Sequence, residues 1–561
     1  MKRKLVYVII FIVSFCSYGF SEHKNRLEHE KFNNEKLASL CRIWGFLKYY
    51  HPTVASGKIN IDQQLFDIIP KIENANTAQE FSLIIENWII NLGFVPTIIV
   101  KKSNTKFEYF DKNYDLSWID NQEFFSPQLS KSLRFIEKNR FQGKQFYVCS
   151  NCGVDHNVTL AMQNEIQYSD FKWDNTNLRL LTMFRYWNLV EYFYPYKYQM
   201  DIKWNVTLLD MLPRFTNCAS EIDYFVTLKE LVARLNDSHA NFYNMKFQSF
   251  IGLNLVPFTF KIIDDKVLIT GLYVEEYAKE NDLKIGDVIT KFDNKTIAEL
   301  IKENKKYISG STDASIIENF KFVLLTGIEN TVEIDFTRDD VNLTKKIKRY
   351  GAEKLNIKLE YNESNESIML PQNVGYVNLG KLQVKNIPKI MNDFKYTNAI
   401  IFDARYYPSE TLLTLADFLN PEKREYAKCL VNNLNYPGRY TWISRFCGKK
   451  NSNFYKGKVV VLVNEKTFSM GEFLVMVLQT APNVTVVGSQ TAGADGPNCS
   501  FQIMTHFKTS FSGFGVFYPN KTETQRIGIV PQILVKPTIT GLQQGLDEVL
   551  NRAMRYIIRN E

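Results

Sequence analysis

The stretch from Lys458 to Ala481 reads KVVVLVNEKTFSMGEFLVMVLQTA, and it decides the fold of the C-terminal part of this chain. It begins with the buried-strand run KVVVLVN, continues through EKTF, and ends in an apolar run after Ser469 that is typical of a helix. Further strand runs of the same kind, NVGYVNLG, AIIFDAR and NVTVVGS, flank it with helical segments between them. Alternating strands and helices predict an α/β domain, here over residues 351–561.

Ser469 therefore stands where a strand ends and a helix begins. Ser469 and Glu472 have the spacing of a capping box, the commoner meaning of this pattern, in which the two side chains satisfy backbone amides of the first helical turn. The same place also suits a nucleophile, because free N–H groups and the helix dipole stabilise the oxyanion that forms when a serine attacks a carbonyl. That chemistry requires a base.

A histidine is the usual base for a serine nucleophile, and the chain has 6 histidines. His239 is the favoured candidate because it lies in a polar insertion, NDSHA, over residues 236–240. His506 belongs to the same predicted domain as Ser469 and is the reserve candidate. The other histidines lie in a polar leader, at an aromatic packing position and beside a cysteine pair.

An internal repeat occupies the N-terminal part of the chain. Its positions recur 143 residues later without insertion: Trp44, Tyr49, Pro52, Leu65, Asp67, Pro70 and Leu92 become Trp187, Tyr192, Pro195, Leu208, Asp210, Pro213 and Leu235. Helical periodicity in each copy predicts amphipathic helices, and the aromatic residues indicate interhelix packing. We expect copy 1 with a connecting segment over residues 22–170 and copy 2, which carries His239, over residues 171–245.

Residues 246–350 change to short β-branched runs separated by polar turns, which predicts a compact β domain. Within it, LKIGDVI (residues 283–289) followed by FDNK resembles the central strand and turn of a PDZ domain. In PDZ domains an exposed strand edge adds the C-terminal strand of a peptide, and backbone amides capture its carboxylate. The resemblance implies Gly252 and Gly286 as substrate-binding positions.

Composition and charge exclude several classes of protein. The 68 Lys+Arg and 60 Asp+Glu give a net charge of +8, and the basic residues nearest the start precede an apolar leader. Residues 1–21 predict a signal peptide and therefore an exported, periplasmic or secreted protein; lipid anchoring at Cys16 ranks second because Phe15 is bulky. The sequence has no block of basic residues of the kind that binds nucleic acid, and no apolar window long enough to embed the chain in a membrane.

Cysteine usage predicts neither a disulfide framework nor a metal centre. The chain has 8 cysteines, and the number left after Cys16 is odd. Cys149 and Cys152 have metal-ligand spacing, but no second pair completes a site, so a local disulfide or two ordinary thiols is expected. We predict no metal and no cofactor.

Taken in order, LNDSHA, LKIGDVI, IIFDAR, the Ser469 segment, GSQTAGADG and FGVFYPNKTETQRIGIVPQI resemble the C-terminal-processing (tail-specific) serine peptidases. The likeness is to their branch around the tricorn core and the interphotoreceptor retinoid-binding protein, as found in secreted proteins of Bacteroidetes type. It begins at about residue 205 and runs to the C-terminus. It implies a multidomain α+β protein with a helical repeat region, a PDZ-like β domain and a ClpP/crotonase-like α/β catalytic domain.

The resemblance also implies roles for individual residues. Ser469 would be the nucleophile, His239 the base and Ser238 the serine that accompanies the histidine. The backbone amide of Met470 and that of Tyr406 or Tyr407 would form the oxyanion hole.

Two positions depart from the family pattern. Ala494 stands where many members have a lysine base, which favours His239. The acidic residue that orients the histidine aligns with Gln525, and Glu523 is the alternative two residues earlier. If Gln525 orients His239, a glutamate at that position should raise kcat/KM by roughly tenfold or more, because a charged hydrogen bond is stronger than a neutral one.

Three functions remain compatible with the sequence. The first is a secreted serine endopeptidase whose polypeptide substrate docks by its C-terminus on the PDZ-like domain. The second is a catalytically degraded protein that binds a peptide or an apolar ligand on the same fold, and the third is a scaffold. The presence of both Ser469 and His239 favours the peptidase, and homo-oligomerisation stays open.

Overall fold

A computed structural model describes residues 28–98, 108–150, 160–355, 365–408 and 412–559. The expected signal peptide, Cys16 and Cys152 lie outside these ranges. Cys149 is disulfide-bonded, and the free cysteines of the described ranges are Cys41, Cys218, Cys429, Cys447 and Cys499. None of the helices in these ranges combines the length and the hydropathy needed to cross a bilayer.

The two copies of the repeat form helices that share one hydrophobic core. The helices of copy 1 cover residues 28–50, Pro52–Ala55, Ile61–Glu73 and Ala78–Asn91; those of copy 2 are Thr176–Phe193, Trp204–Thr216 and Glu221–Ala233. A further helix, Pro127–Lys138, lies in the connecting segment. The same hydrogen bond occurs in both copies, since Trp44 Nε1 donates to the carbonyl of Ile61 and Trp187 Nε1 to the carbonyl of Trp204, each at 3.0 Å.

Four buried charges join the two copies. Lys48 Nζ lies 2.5 Å from Glu165 Oε1, and Arg185 Nε lies 3.2 Å from Glu165 Oε2. Arg185 also pairs with Asp62 of copy 1. Because a buried charge without its partner is strongly destabilising, this network favours the packing of the two copies in which all four charges are paired.

The PDZ-like domain contains an antiparallel sheet, and helix Asp313–Leu325 packs against the strand at its edge. The strands, in spatial order, are Val341–Lys348, Thr331–Arg338, Val288–Phe292, Lys266–Leu272 and Phe258–Ile263, with Lys295–Thr296 beside Val288–Phe292. Val288–Phe292, from the LKIGDVI region, is therefore a central strand. A second small sheet pairs Asn254–Leu255 with Thr326–Gly327 and Tyr350–Gly351.

The C-terminal α/β domain is built on a six-stranded sheet. Its strands, in spatial order, are Ser367–Leu370, Val374–Asn378, Ala399–Asp403, Lys458–Val463, Val484–Gly488 and Ile533–Leu534. All neighbouring pairs are parallel except the first, and the helices include Ile387–Asp393, Ala416–Leu419, Met470–Leu478 and Glu548–Arg559. Ligand sites of such sheets lie at the carboxyl ends of the strands, where Lys458–Val463 leads into Ser469.

A small sheet attaches the helical repeat to the α/β domain. Strands Asn498–Met504 and Phe507–Ser512 form a hairpin of the α/β domain. Strand Asn241–Tyr243, which follows copy 2, pairs with Phe507–Ser512 of this hairpin. A second sheet, of strands Tyr109–Phe110, Tyr440–Cys447, Arg424–Asn432 and Gly515–Phe517, connects the same two regions. These pairings hold the segment around His239 against the α/β domain.

Candidate active site

Ser469 precedes helix Met470–Leu478 and adopts a strained backbone conformation. Its φ of 54° and ψ of −118° lie in a region that residues other than glycine rarely occupy. Its hydroxyl makes no capping hydrogen bond, so the capping-box interpretation of Ser469 and Glu472 is wrong. A strained serine at a strand-to-helix turn is the arrangement that exposes a nucleophile for reaction.

The hydroxyl of Ser469 contacts His239, which reaches it from the end of copy 2. Ser469 Oγ lies 3.0 Å from His239 Nε2. The imidazole is buried, and the ring of Phe468 packs against it with centroids 4.5 Å apart. Burial lowers the pKa of His239, and the charge of Asp237 opposes that effect. The ring is therefore neutral at pH 7 and can accept the serine proton.

The other ring nitrogen of His239 contacts a serine that connects it to a buried aspartate. His239 Nδ1 lies 3.0 Å from Ser512 Oγ, and Ser512 Oγ donates to Asp237 Oδ1 at 3.0 Å. The Ser512 amide donates to Asp237 Oδ2 at 2.7 Å, and Asp237 Oδ1 lies 3.9 Å from Nδ1. These contacts hold Nδ1 as a donor and leave Nε2 free to accept a proton.

Gln525 belongs to this cluster but contacts the aspartate instead of the imidazole. Gln525 Nε2 donates to Asp237 Oδ1 and to Ser311 Oγ, both at 3.2 Å. Glu523 lies elsewhere: its carboxylate accepts from the hydroxyl of Tyr198 at 2.8 Å. Neither candidate for the orienting residue therefore touches the ring, and the contact to Nδ1 comes from Ser512.

Ser238 faces away from the reacting atoms. Its hydroxyl donates to the carbonyl of Ala492 at 3.2 Å and accepts from the amide of Ser311 at 2.9 Å. Its own amide donates to Ser311 Oγ at 2.8 Å. The structure thus gives Ser238 a supporting position behind His239.

A buried pair of carboxyl groups supports Ser469 from the other side. Glu472 accepts hydrogen bonds from the amides of Gly493 at 2.7 Å and Ala494 at 2.8 Å, and the carbonyl of Ala494 accepts from the Ser469 amide at 3.1 Å. Burial, together with the nearby Asp495, raises the pKa of Glu472 to about 8. Burial raises the pKa of Asp495 to about 7. The loop that fixes the nucleophile is therefore organised by Glu472, a carboxyl group that resists ionisation.

One of the two expected oxyanion donors, the amide of Met470, lies at the start of the nucleophile helix. The amide of Met470 is the first of the helix and donates to no acceptor within the described ranges. Residues 406–408 approach this point, because Pro408 Cδ would lie 3.7 Å from a β-carbon added to Gly471. Tyr406 itself packs against Gly380, where an added β-carbon would meet Tyr406 Cβ at 2.7 Å.

His506, the reserve base, lies away from Ser469. Its Nε2 is 2.7 Å from the hydroxyl of Tyr224, and its ring stacks on Phe171 with centroids 3.5 Å apart. Burial lowers the pKa of His506 to about 3. It is a neutral core histidine.

The two glycines expected to bind substrate have structural contacts. Gly252 ends helix Met245–Ile251 with a positive φ of 89°, and a β-carbon there would lie 2.1 Å from the Gly327 carbonyl carbon. The carbonyl of Gly286 accepts a hydrogen bond of 2.8 Å from Gln543 of the α/β domain. Gly286 therefore contributes to the contact between domains.

Sequence reasoning missed Asp237 and Ser512. The signal that could have identified Asp237 is its place two residues before His239 in LNDSHA, because a base histidine pairs with an acidic residue. Ser512 carries no local signal, because it is one of many serines and meets His239 only through strand pairing.

Comparison with known proteins agrees with this architecture. Residues 373–535 match the family model of peptidase family S41, and residues 253–368 match that of the PDZ domain. Among curated proteins, none is significantly similar to this chain.

Two solved structures of CPAF resemble this chain in fold. Mature CPAF superposes with a TM-score of 0.55 at 16% identity, covering 69% of this chain and 98% of that chain. Mature CPAF in complex with lactacystin gives a TM-score of 0.54 at 15% identity, covering 69% of this chain and 100% of that chain.

Proposed function

We propose that this chain, whose residues 373–535 match the model of peptidase family S41, is a serine peptidase that cleaves internal peptide bonds with Ser469 as nucleophile and His239 as base. One observation carries the assignment of these residues: Ser469 Oγ lies 3.0 Å from His239 Nε2 at the start of a helix. The alternative, a degraded binding protein on the same fold, has no use for this contact.

In the first step, His239 Nε2 takes the proton of Ser469 as its Oγ attacks the carbonyl carbon of the substrate. The strained turn holds this hydroxyl out of the first helical turn, where it would otherwise be a cap. Proton transfer converts the imidazole to imidazolium.

Asp237 stabilises that imidazolium through Ser512. The Nδ1 proton is donated to Ser512 Oγ, and the Ser512 hydroxyl proton to Asp237 Oδ1. The serine hydroxyl thus connects base and carboxylate, and the negative charge remains close enough to favour the charged ring.

The tetrahedral oxyanion is bound by the Met470 amide, with the backbone around Tyr406 as the second donor. When the intermediate collapses, His239 returns its proton to the leaving amine, and an acyl-serine forms. A water molecule activated by His239 then hydrolyses the acyl-serine and restores the enzyme.

We propose that the substrate docks by its C-terminus on the PDZ domain. Strand Phe258–Ile263 supports this, because it ends the sheet and helix Asp313–Leu325 packs beside it. Calorimetry on the full-length Ser469→Ala variant, with a peptide and its C-terminal amide, tests the proposal. Equal affinities would rule out capture of the carboxylate.

Export is a further proposal, based on the leader over residues 1–21. Cell fractionation and N-terminal sequencing of the mature protein test it. An intact N-terminus in the cytoplasmic fraction would contradict it.

A serine-reactive fluorophosphonate tests the nucleophile directly. We expect it to label wild type and the control Ser444→Ala, a serine on strand Tyr440–Cys447, but not Ser469→Ala or His239→Ala. Ser469→Ala should also lower kcat/KM by several orders of magnitude. Labelling of Ser469→Ala, or turnover above a few per cent of wild type, would remove the assignment.

A further inference from the structure

A cavity of about 620 Å³ lies between the PDZ domain and the peptidase domain. One wall is the end of strand Phe258–Ile263 with the turn that follows it, and a second is the first half of helix Asp313–Leu325. The peptidase domain supplies the third wall, with Glu465, Ser489, Gln490, Arg526 and Lys536. Its volume is that of a typical ligand site.

The walls of this cavity suit an extended polypeptide. Phe258–Ile263 pairs with Lys266–Leu272 on one side only, within the part of the chain that the structure describes, so its other edge has backbone groups free to add a strand. Ile262 on the strand and Ile316 and Ile317 on the helix add apolar surface.

Ser311 lines the cavity and also contacts the catalytic segment. Its hydroxyl accepts hydrogen bonds from the Ser238 amide at 2.8 Å and from Gln525 Nε2 at 3.2 Å. Its amide donates to Ser238 Oγ at 2.9 Å. Ser238 precedes His239, and Gln525 also donates to Asp237, so the buried side chain of Ser311 contacts the residue before the base and a partner of its carboxylate.

The residues on both sides of the contacts between Ser311 and the catalytic segment are tightly packed. A β-carbon on Gly310 would lie 2.9 Å from the amide nitrogen of Ile316, so the segment before Ser311 is pressed against the first turn of the cavity helix. A β-carbon on Gly493 would lie 2.8 Å from Thr312 Cγ2, in the loop that holds Ser469. The start of this helix is therefore packed against the loop that holds Ser469.

We propose that Ser311 is a positioning residue through which a polypeptide segment bound in this cavity sets the geometry of His239. The segment adds to the free strand edge, fixes the start of helix Asp313–Leu325 and so fixes Ser311. Ser238 and Gln525 then hold the backbone of His239 and the carboxylate of Asp237 in the reactive arrangement. This inference rests on the proposed peptidase function of the same site.

The test compares a long and a short substrate on the full-length chain. The long substrate is carboxymethylated α-lactalbumin, an unfolded polypeptide that can fill the cavity, and the short one is a blocked tetrapeptide p-nitroanilide. We measure kcat and KM of wild type, Ser311→Ala and the control Ser309→Ala. Ser309 is a matched control because its hydroxyl makes no hydrogen bond within the described ranges.

We expect wild type and Ser309→Ala to show a higher kcat on the long substrate than on the short one. Ser311→Ala should lower the ratio of the two kcat values about tenfold and change KM for the long substrate less than twofold. An equal fall of kcat on both substrates would mean that Ser311 only supports the fold of the site, and unchanged kcat values on both would mean that it does not act at all. Either result overturns the proposal.

A second variant tests the cavity without touching Ser311. Ile317→Trp narrows the cavity from the helix and should raise the ratio of KM for the long substrate to KM for the short one at least fivefold. An unchanged KM ratio would overturn the cavity as the polypeptide site. Failure of wild type to hydrolyse either substrate or to react with the fluorophosphonate would instead reject the proposed function, so the two failures are distinguishable.

Discussion

Asp237→Asn isolates the charge that the structure places behind His239. All four contacts of this carboxylate come from donors: Oδ1 accepts from Ser512 Oγ, the His239 amide and Gln525 Nε2, and Oδ2 accepts from the Ser512 amide. An asparagine keeps the shape but must turn its NH₂ group toward one of these donors. The substitution therefore removes the negative charge and breaks at least one of the two hydrogen bonds from Ser512.

The electrostatic part of the loss follows from one distance. Asp237 Oδ1 lies 3.9 Å from His239 Nδ1. At an effective dielectric constant of about 20, two unit charges at this separation attract by about 4 kcal/mol. Because each 1.36 kcal/mol of barrier is about tenfold in rate, losing this stabilisation of the imidazolium lowers kcat/KM on the order of 10³-fold.

The assay is the pH dependence of kcat/KM on the blocked tetrapeptide. Wild type should lose activity on acidification below the ordinary histidine pKa of about 6.5, because burial lowers the pKa of His239. Asp237 raises that pKa, so in Asp237→Asn the acid limb should move to still lower pH while the plateau falls. The exposed Asp210→Asn is the control, with the profile of wild type expected.

Two results would refute this reasoning. The first is a plateau of Asp237→Asn within about threefold of wild type, which would mean that the charge does not stabilise the imidazolium. The second is an acid limb that moves to higher pH, which would mean that another group sets the pKa of the base. Circular dichroism and thermal unfolding of the variant establish that the comparison is between folded proteins.

Three other substitutions test further parts of the structure. Gln525→Glu should lower kcat/KM at least tenfold, the reverse of the expectation from the sequence, because it replaces a donor 3.2 Å from Asp237 with a second carboxylate; faster turnover would restore the sequence-based role. Glu472 and Asp495 bind protons more tightly in the folded chain than in the unfolded one, so the free energy of unfolding should fall as the pH rises from about 4 to about 8 and then level off. Asp495→Asn should flatten that fall, measured by urea unfolding at pH 5 and pH 8, and an identical slope would contradict the assignment. Arg185→Met leaves the buried Asp62 without its cation and Glu165 with Lys48 alone, and should lower the free energy of unfolding by about 3–5 kcal/mol; an unchanged urea midpoint would show that the buried network is not needed.

Local sequence patterns were sufficient to predict the strand and the helix around Ser469 and to identify Ser469 and His239 as candidate site residues. The apolar runs around Ser469 predicted the strand and the helix that the structure places there, and the serine stands at their junction. His239 was singled out because an insertion in one copy of a repeat marks an added feature, and the structure brings it to Ser469. Such inferences succeed because strand and helix periodicity and nearest-neighbour spacing are properties of the chain itself.

Where one sequence pattern is compatible with two roles, only the tertiary structure distinguishes them. The pair Ser469 and Glu472 satisfies the capping-box pattern equally well in either role, and only the positive φ of Ser469 and the turning of Glu472 toward the loop at residues 493–494 exclude the cap. Likewise, Gln525 and Glu523 stand two residues apart in sequence, yet one side chain faces Asp237 and the other Tyr198.

By itself, the sequence determined the α/β domain, the PDZ-like domain, the helical repeat and the candidate pair of Ser469 and His239. Only the tertiary structure decided that Asp237, through Ser512, completes the site. Ser512 reaches His239 because strand Asn241–Tyr243 pairs with Phe507–Ser512, a contact between segments more than 260 residues apart. A strand's alternation predicts which of its side chains share a face but not which distant strand it will pair with, since that choice depends on the packing of the whole chain.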